Sequence, residues 1–265
     1  MQQFKMSERK ACETVGISRQ SHRYQGRKKD DGEIQTVLAS LARQHPRWGF
    51  RKMNAVLRRN GNIWNHKRIY RIYCEMNLNL RIKPKKRLPS REKVPLVQPE
   101  YLNQSWSIDF MSDSLHDGKM IRTMNIMDDY NREVLWIEVR YSFPAEQMTK
   151  VLDRVAEWRG YPEQIRSDNG PEFIAKHTDR WAQEHGVQWL FIQPGKPNQN
   201  GFVERLNRTY REDVLDAYVL NTLEEVQDIT EKWMSMYNGE RPHEALSNLT
   251  PLEFAVVGNN KFVHL

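Results

Sequence analysis

The sequence predicts an α/β protein: a mixed five-stranded sheet flanked by helices, preceded by a small all-helical region. Three observations carry this. Strand-like runs at 106–110, 119–130 and 134–139 follow one another across short turns, as in a meander. From about 145 onward, apolar residues at helical spacing alternate with short apolar runs, the pattern of helices crossing over a sheet. The charge also changes sign along the chain. Residues 1–95 carry 24 Lys and Arg against 7 Asp and Glu, a net of +17, and residues 96–265 carry 17 against 27, a net of −10.

The front of the chain reads as helices. Ser7 and Ser18 are placed to cap two short helices on either side of Gly16. Residues 33–44 put Ile34, Val37, Leu38 and Leu41 on one face. The next helix is expected to begin near Pro46, which suits a first helical turn. Met53, Val56 and Leu57 supply its apolar side, and Gly61-Asn62 ends it. Asn65 then caps HKRIYRIYCEMN, where Ile69, Ile72, Tyr73 and Met76 form a stripe and Lys67, Arg68 and Arg71 lie largely off it. A basic face opposite an apolar one suits docking against phosphates or in a groove. A block this basic implies a polyanionic partner, most often nucleic acid; a solvated basic surface is the plain alternative. Residues 81–100 mix four prolines with Lys85, Lys86 and Arg87 and read as an extended basic linker. The expected organisation is a helical DNA-binding region over 1–80, the linker over 81–100 and a second domain over 101–265.

In that second domain the turn from Asp128 to Glu133 joins the second and third strands. A helix over 145–158 turns Met148, Val151, Leu152 and Val155 inward. A fourth strand over 163–167 ends at Asp168, followed by the turn-forming Asn169, Gly170 and Pro171. A helix over 173–185, a strand over 187–192, a breaker-rich loop over 194–201 and helices over 202–215 and 223–237 complete the order β-β-β-α-β-α-β-α-α.

Asp109 lies in the first strand and Asp168 at the end of the fourth, where sites gather in such sheets. Glu204 is the best third carboxylate. With Val203, Leu206, Tyr210 and Val214 facing the core, Glu204, Arg208 and Arg211 share another face at spacings of four and seven. Convergent carboxylates without a Cys or His cluster favour a hard cation such as Mg2+, and paired ions of this kind support phosphoryl transfer. The arginines would hold phosphates beyond the metal. An ordinary Glu204–Arg208 surface pair is the plain alternative. Asp128 and Asp129 fit the hairpin turn better than a ligand role. Asn169 and Gly170 shape the loop behind Asp168. Lys196 and Asn200 sit in the loop ahead of Glu204, which either approaches DNA or only connects. Trp106 reads as core, and His243 as a packing or capping residue.

The motifs extend this reading. HPRWGFRKMNAVLRRNGNIWNHKRIYRIYCEM (45–76), WSIDF, IRSDNGPEF, GKPNQNGFVERLNRTYREDVL and YNGERPHEALSNLTPLEF (237–254) occur in order. Together they resemble the OrfB-type transposases of bacterial insertion sequences, relatives of the retroviral integrases. That family has an acidic triad with 35 residues between its second Asp and its Glu, the separation of Asp168 and Glu204. The resemblance implies an RNase H-like catalytic fold behind a helix-turn-helix-like region. It implies Asp109, Asp168 and Glu204 as catalytic metal ligands, Mg2+ or Mn2+ as cofactor, and cleavage followed by joining of DNA strands at element ends. Lys67, Arg68, Arg71, Lys85, Lys86, Arg87, Lys196, Arg208 and Arg211 are the expected DNA contacts. The implied partners are the terminal inverted repeats, target DNA, further copies of the chain and an upstream OrfA-type protein, separate or fused. Where the family often has a lysine seven residues past its glutamate, this chain has Arg211. A nuclease without strand transfer and a non-enzymatic DNA-binding regulator are the rival readings.

Cys12 and Cys74 show neither metal-ligand spacing nor a disulfide framework, and no apolar run approaches a membrane span. These features place the expected protein in the cytoplasm, associated with the nucleoid.

Overall fold

The computed structural model describes residues 6–24, 30–80, 98–193 and 197–262. The expected contacts Lys85, Lys86, Arg87 and Lys196, and the linker up to residue 97, lie outside the described residues. The chain divides into two compact units: Met1–Pro46 with Asn65–Leu78, and Arg47–Trp64 with Asn79–Leu265.

Five helices form the front of the chain: α1 (Glu8–Val15), α2 (Arg19–Arg23), α3 (Gly32–Gln44), α4 (Phe50–Arg59) and α5 (His66–Glu75). All but α4 belong to the first unit. The starts of α1, α2 and α5 are set by side-chain oxygens that accept otherwise unpaired N–H groups. Ser7 accepts from the Lys10 amide, Ser18 from Ser21 and Asn65 from Lys67. Gly16 closes α1 at φ 72°, a left-handed conformation that glycine adopts without cost. Ile34 and Leu38 of α3 and Ile69, Ile72 and Tyr73 of α5 are buried. Asp31, just before α3, pairs with Arg68 at 2.7 Å and Arg71 at 2.6 Å. Two of the three basic residues expected to face DNA are thus held by a carboxylate, while Lys67 stays exposed.

The helix expected from Pro46 starts at Phe50. Gly49 takes the capping position in an extended conformation and Pro46 stays in the preceding turn. α4 is fastened within the second unit. Arg51 pairs with Glu244 at 3.3 Å and Arg59 with Glu253 at 3.0 Å, and Arg59 also donates to the Glu240 and Asn248 carbonyls.

The second unit contains β1 (Ser105–Ser114), β2 (Met120–Asp128), β3 (Val134–Arg140), α6 (Ala145–Arg159), β4 (Gln164–Ser167), α7 (Lys176–Glu184), β5 (Gln188–Phe191), α8 (Gly201–Tyr210), α9 (Leu223–Gly239) and α10 (Pro251–Phe262). The five strands form one mixed sheet in the order β3-β2-β1-β4-β5. β2 runs antiparallel to both neighbours, and β1, β4 and β5 run parallel. Alternation along the strands sorts side chains to two buried layers. Met111, Ile121, Met127 and Ile137 pack with Val203, Leu206 and Tyr210 of α8 and Val226, Trp233 and Tyr237 of α9. Trp106, Ile108, Met124 and Ile126 pack with Met148, Val151, Leu152 and Val155 of α6 and Trp181 of α7. Trp106 is core, as expected. Asp109 shares its parity with Met111, so the strand period turns it toward the α8 layer.

In this unit two helices, α7 and α8, depart by three residues or more from the sequence reading. α7 starts at Lys176, three residues late, because Phe173 sits in the preceding turn, buried and stacked on Phe110 at 5.0 Å between centroids. α8 stops at Tyr210 and a π-turn carries the chain over Arg211–Leu215. Asp128 and Asp129 close the β2–β3 hairpin as expected, but both are fully buried. Asp128 pairs with Arg159 at 3.2 Å, and Asp129 accepts from Ser105, Ser107 and Arg166. No helix among the described residues is long and apolar enough to cross a membrane.

Candidate active site

Asp109 sits in the middle of the central strand, directly opposite Asn125 of β2. Its Oδ1 accepts from the Phe110 amide at 2.9 Å and its Oδ2 from the Asn207 side-chain amide at 2.7 Å. Asn207 is in turn held by Asn125, which donates to its Oδ1 at 2.6 Å. Asn125 and Asn207 are both buried. This relay runs from β2 through α8 to one carboxylate and fixes its orientation. Neither asparagine stood out in the sequence reading. The available signal was a polar residue between Leu206 and Tyr210, where an amphipathic helix turns inward, matched by another in a buried strand.

Asp168 follows β4 immediately. Ser107 of β1 lies opposite Arg166 of β4, so carrying the parallel register two residues on brings Asp168 level with Asp109. The turn behind it is tight: the Gly170 amide donates to Asp168 Oδ1 at 3.0 Å, and Asn169 Nδ2 to the Ile192 carbonyl at 3.0 Å. A methyl group on Gly170 would lie 3.1 Å from Asp168 Oδ1 and 3.2 Å from the Phe173 ring. Gly170→Ala should therefore displace the carboxylate; with Asp168 in the metal-ligand role that the family resemblance implies, strand cleavage should fall roughly ten- to a hundredfold while the fold survives. Cleavage rates measured alongside thermal melting check this; a variant as active as the parent would show that the close contact does not matter.

Glu204 stands in the first turn of α8, where the helix dipole favours a negative charge. Val203, Leu206 and Tyr210 bury one side of that helix. Its start is tied to the strand by Asn200, whose Nδ2 donates to the Ile108 carbonyl at 3.3 Å, one residue before Asp109. Glu204 is exposed and, among the described residues, makes no ion pair or hydrogen bond. Partial desolvation of its carboxylate by neighbouring atoms raises its pKa. Burial also pushes the Asp109 carboxyl up to about 6; the Phe110 amide and Asn207 oppose this, and the charges of Asp168 and Glu204 add to it. Asp168 and Glu204 thus both bear on Asp109, and the three carboxylates come from a strand middle, a strand end and a helix start.

Residues 100–197 and 185–251 match the integrase core domain family, and residues 28–86 match the HTH-like domain family. The 31.7 kDa protein of insertion element IS407 from Burkholderia multivorans is 38% identical over 251 residues, covering 94% of this chain and 91% of that one. The chain belongs to the OrfB-type transposases of bacterial insertion sequences. The 39.2 kDa protein of insertion element IS476 from Xanthomonas euvesicatoria is 34% identical, covering 94% of this chain and 72% of that one. The InsD transposase for insertion element IS2 of Escherichia coli is 26% identical, covering 85% and 79%. In fold, this transposase resembles a chain of the simian T-cell lymphotropic virus intasome in complex with PP2A regulatory subunit B56 gamma, at a TM-score of 0.51 and 15% identity, covering 81% of this chain and 73% of that one.

Around Glu204 of this transposase, the expected basic contacts Arg208 and Arg211 have acquired protein partners. Arg208 does not pair with Glu204; it pairs with Glu212 at 3.0 Å. Arg211 opens the π-turn. Its guanidinium lies 2.8 Å from Asp113, donates to the Ser112 carbonyl at 2.8 Å and lies 3.7 Å from Asp216. The position where this transposase departs from the usual lysine therefore fastens α8 to the end of β1. His243 packs edge-on against Tyr237, 4.8 Å between ring centroids.

Proposed function

We propose that Asp109, Asp168 and Glu204 form the catalytic triad of this transposase, and that it cleaves DNA at insertion-sequence ends and joins the freed ends to new DNA with Mg2+ or Mn2+. The observation that supports this reading is an arrangement: the β1–β4 register brings Asp168 level with Asp109, and Asn200 ties the start of α8, which carries Glu204, to β1 one residue before Asp109. Their donor set fits a hard cation: each offers carboxylate oxygens, and the side chain that hydrogen-bonds to them among the described residues is the Asn207 amide, not His or Cys. When bound, such a cation neutralises charge on the phosphoryl oxygens and activates the attacking oxygen.

The chain's own contribution is placement. Asn207 and the Phe110 amide hold Asp109 in one orientation, and the Gly170 amide holds Asp168. Glu204, unpaired on a helix start, completes the set. In the first step water attacks the phosphodiester at the element end and frees a 3′-hydroxyl. In the second that hydroxyl attacks another phosphodiester in line and displaces its leaving oxygen. No covalent enzyme intermediate is needed, so the protein positions reactants and balances charge.

Duplexes carrying the terminal inverted repeats, incubated with target DNA and Mg2+, test the reading. Joined strands support it. Cleavage without joining would leave a nuclease, and neither product, with or without an OrfA-type protein, would leave a DNA-binding regulator. Assembly of several copies on the paired ends is part of the same proposal.

The pH dependence follows from Asp109. A carboxyl raised to about 6 is protonated below that pH and is then a poor donor to a cation. At fixed Mg2+, cleavage should fall as pH drops from 7 to 5, and added Mg2+ should restore part of it. Metal-free stability runs the other way. The folded state keeps a proton that the unfolded chain releases, so this group's contribution is present below about pH 4 and lost as pH rises through about 6, up to about 3 kcal/mol. Melting curves across this range, with and without Mg2+, check both signs.

A further inference from the structure

A cluster of a different kind lies in the first unit, between α1 and α2. Ser7 caps α1, and Glu8 and Cys12 follow at a spacing of four, on one face of that helix. Gly16, left-handed at φ 72°, ends α1; its amide and that of Ile17 return to the Glu13 and Cys12 carbonyls. This tight reversal brings α2 back against α1. Arg23 of α2 holds Glu8 with two hydrogen bonds, Nε to Oε1 and Nη2 to Oε2, both at 2.7 Å. His22 Nδ1 lies 3.5 Å from Glu8 Oε1. A carboxylate oxygen of Glu8, the Cys12 sulfur and an imidazole nitrogen of His22 all lie within 4.8 Å of one another.

Little else fastens these two helices to each other. Cys12 is the only buried residue of α1, and α2, five residues long, buries none. A helix that short does not hold its shape alone, and a helix pair without an apolar core needs another fastening. The Glu8–Arg23 pair is a weak one, because its guanidinium is largely exposed to water.

We propose that Glu8, Cys12 and His22 hold a Zn2+ ion that braces α2 against α1. Thiolate and imidazole select a borderline-soft metal over Mg2+, so this site is chemically distinct from the all-carboxylate cluster of the second unit. With Zn–S about 2.3 Å and Zn–N about 2.0 Å, tetrahedral donors stand about 3.5 Å apart. Donors already within 4.8 Å need only a small inward movement. Water takes the fourth position. On binding, the hydrated ion sheds its other waters and the Cys12 thiol gives its proton to solvent. Carboxylate and thiolate then cancel the charge of the ion, and the filled site is neutral beside Arg23. Arg23 keeps Oε2 while Oε1 turns to the metal, which orients the carboxylate from outside the ligand set. The spacing of Cys12 and Cys74 carried no sign of this site, because its other donors are a glutamate and a histidine. All three residues precede residue 28, where the HTH-like match begins, so the proposal is independent of the transposase reading.

The full chain, reduced and in excess Mg2+, is titrated with Co2+ as a spectroscopic stand-in and then with Zn2+. The expected result is a thiolate-to-Co2+ absorption band that saturates at one ion per chain and is bleached by Zn2+. A carboxylate cluster gives no such band, and Cys12 and Cys74 are the two cysteines present. The band should persist in Cys74→Ala and vanish in Cys12→Ala. His22 is exposed, so His22→Gln tests the site without touching a core; it should weaken Zn2+ binding by at least about tenfold. With Zn2+ at about ten times its dissociation constant, amide hydrogen exchange across α1 and α2 should slow about tenfold, and should not slow in His22→Gln. Absence of the band, or a band and affinity unchanged in His22→Gln, would overturn the site. Zn2+ binding that leaves exchange in α1 and α2 unchanged would overturn its role as a brace.

Discussion

Asp168→Asn should give a transposase that folds and binds DNA but neither cleaves nor joins it, with rates down by at least about a thousandfold. An amide oxygen is a weak donor to a hard cation, and its NH2 group points a positive dipole into the site. The fold has little to lose. Asp168 Oδ1 accepts the Gly170 amide, and an asparagine oxygen accepts the same bond. Removing the charge also relieves one of the repulsions acting on Asp109, so the variant should melt no lower than the parent and Asp109 should titrate at a lower pH. Gel shifts, thermal melting and Mg2+-dependent cleavage of an element-end duplex measure the three properties together. Cleavage at the parental rate would remove Asp168 from the triad.

What was legible in the sequence is what local patterns determine. The caps at Ser7, Ser18 and Asn65 are read from a hydroxyl or amide before an apolar-periodic run, and each makes its bond. The strands are read from alternation, which also sends Asp109 to the α8 side of the sheet. Glu204 follows from the inward positions of its own helix. The rest depends on contacts between residues far apart in the chain. Helical spacing placed Arg68 and Arg71 on a polar face but did not reveal Asp31, 37 residues before Arg68, lying against them. The count of seven from Glu204 to Arg211 assumed an α-helix throughout, and a π-turn takes over at Arg211. Pro46 suits a first helical turn, but the helix starts after Gly49, and periodicity alone does not fix that boundary. Asn207 was hidden because a polar residue at an inward position looks like noise until its partners, Asp109 and Asn125, are seen beside it.

Asp129→Ala should have the opposite signature, a large loss of stability with the chemistry intact in whatever remains folded. The acid is fully buried. The Ser107 hydroxyl donates to it at 2.6 Å, the Ser105 hydroxyl at 3.1 Å and Arg166 at 3.2 Å, while its own amide donates to the Ser105 carbonyl. One side chain at the end of β2 therefore binds the start of β1 and the middle of β4. Alanine would strand a largely buried guanidinium and two hydroxyls, a cost of about 3–5 kcal/mol. Against the roughly 5–15 kcal/mol that holds a domain together, that is a large fraction. Asparagine should cost less than alanine, since it keeps an acceptor for a serine and removes a charge whose burial already pushes the Asp129 carboxyl up to about 6. Denaturation midpoints should fall in the order parent, Asp129→Asn, Asp129→Ala. Cleavage per folded molecule at low temperature should stay near the parental rate, because Asp129 is engaged by Ser105, Ser107 and Arg166 and not by the three carboxylates of the proposed triad. If Asp129→Asn instead kept its stability and lost cleavage, Asp129 would have to be moved from the scaffold into the active site.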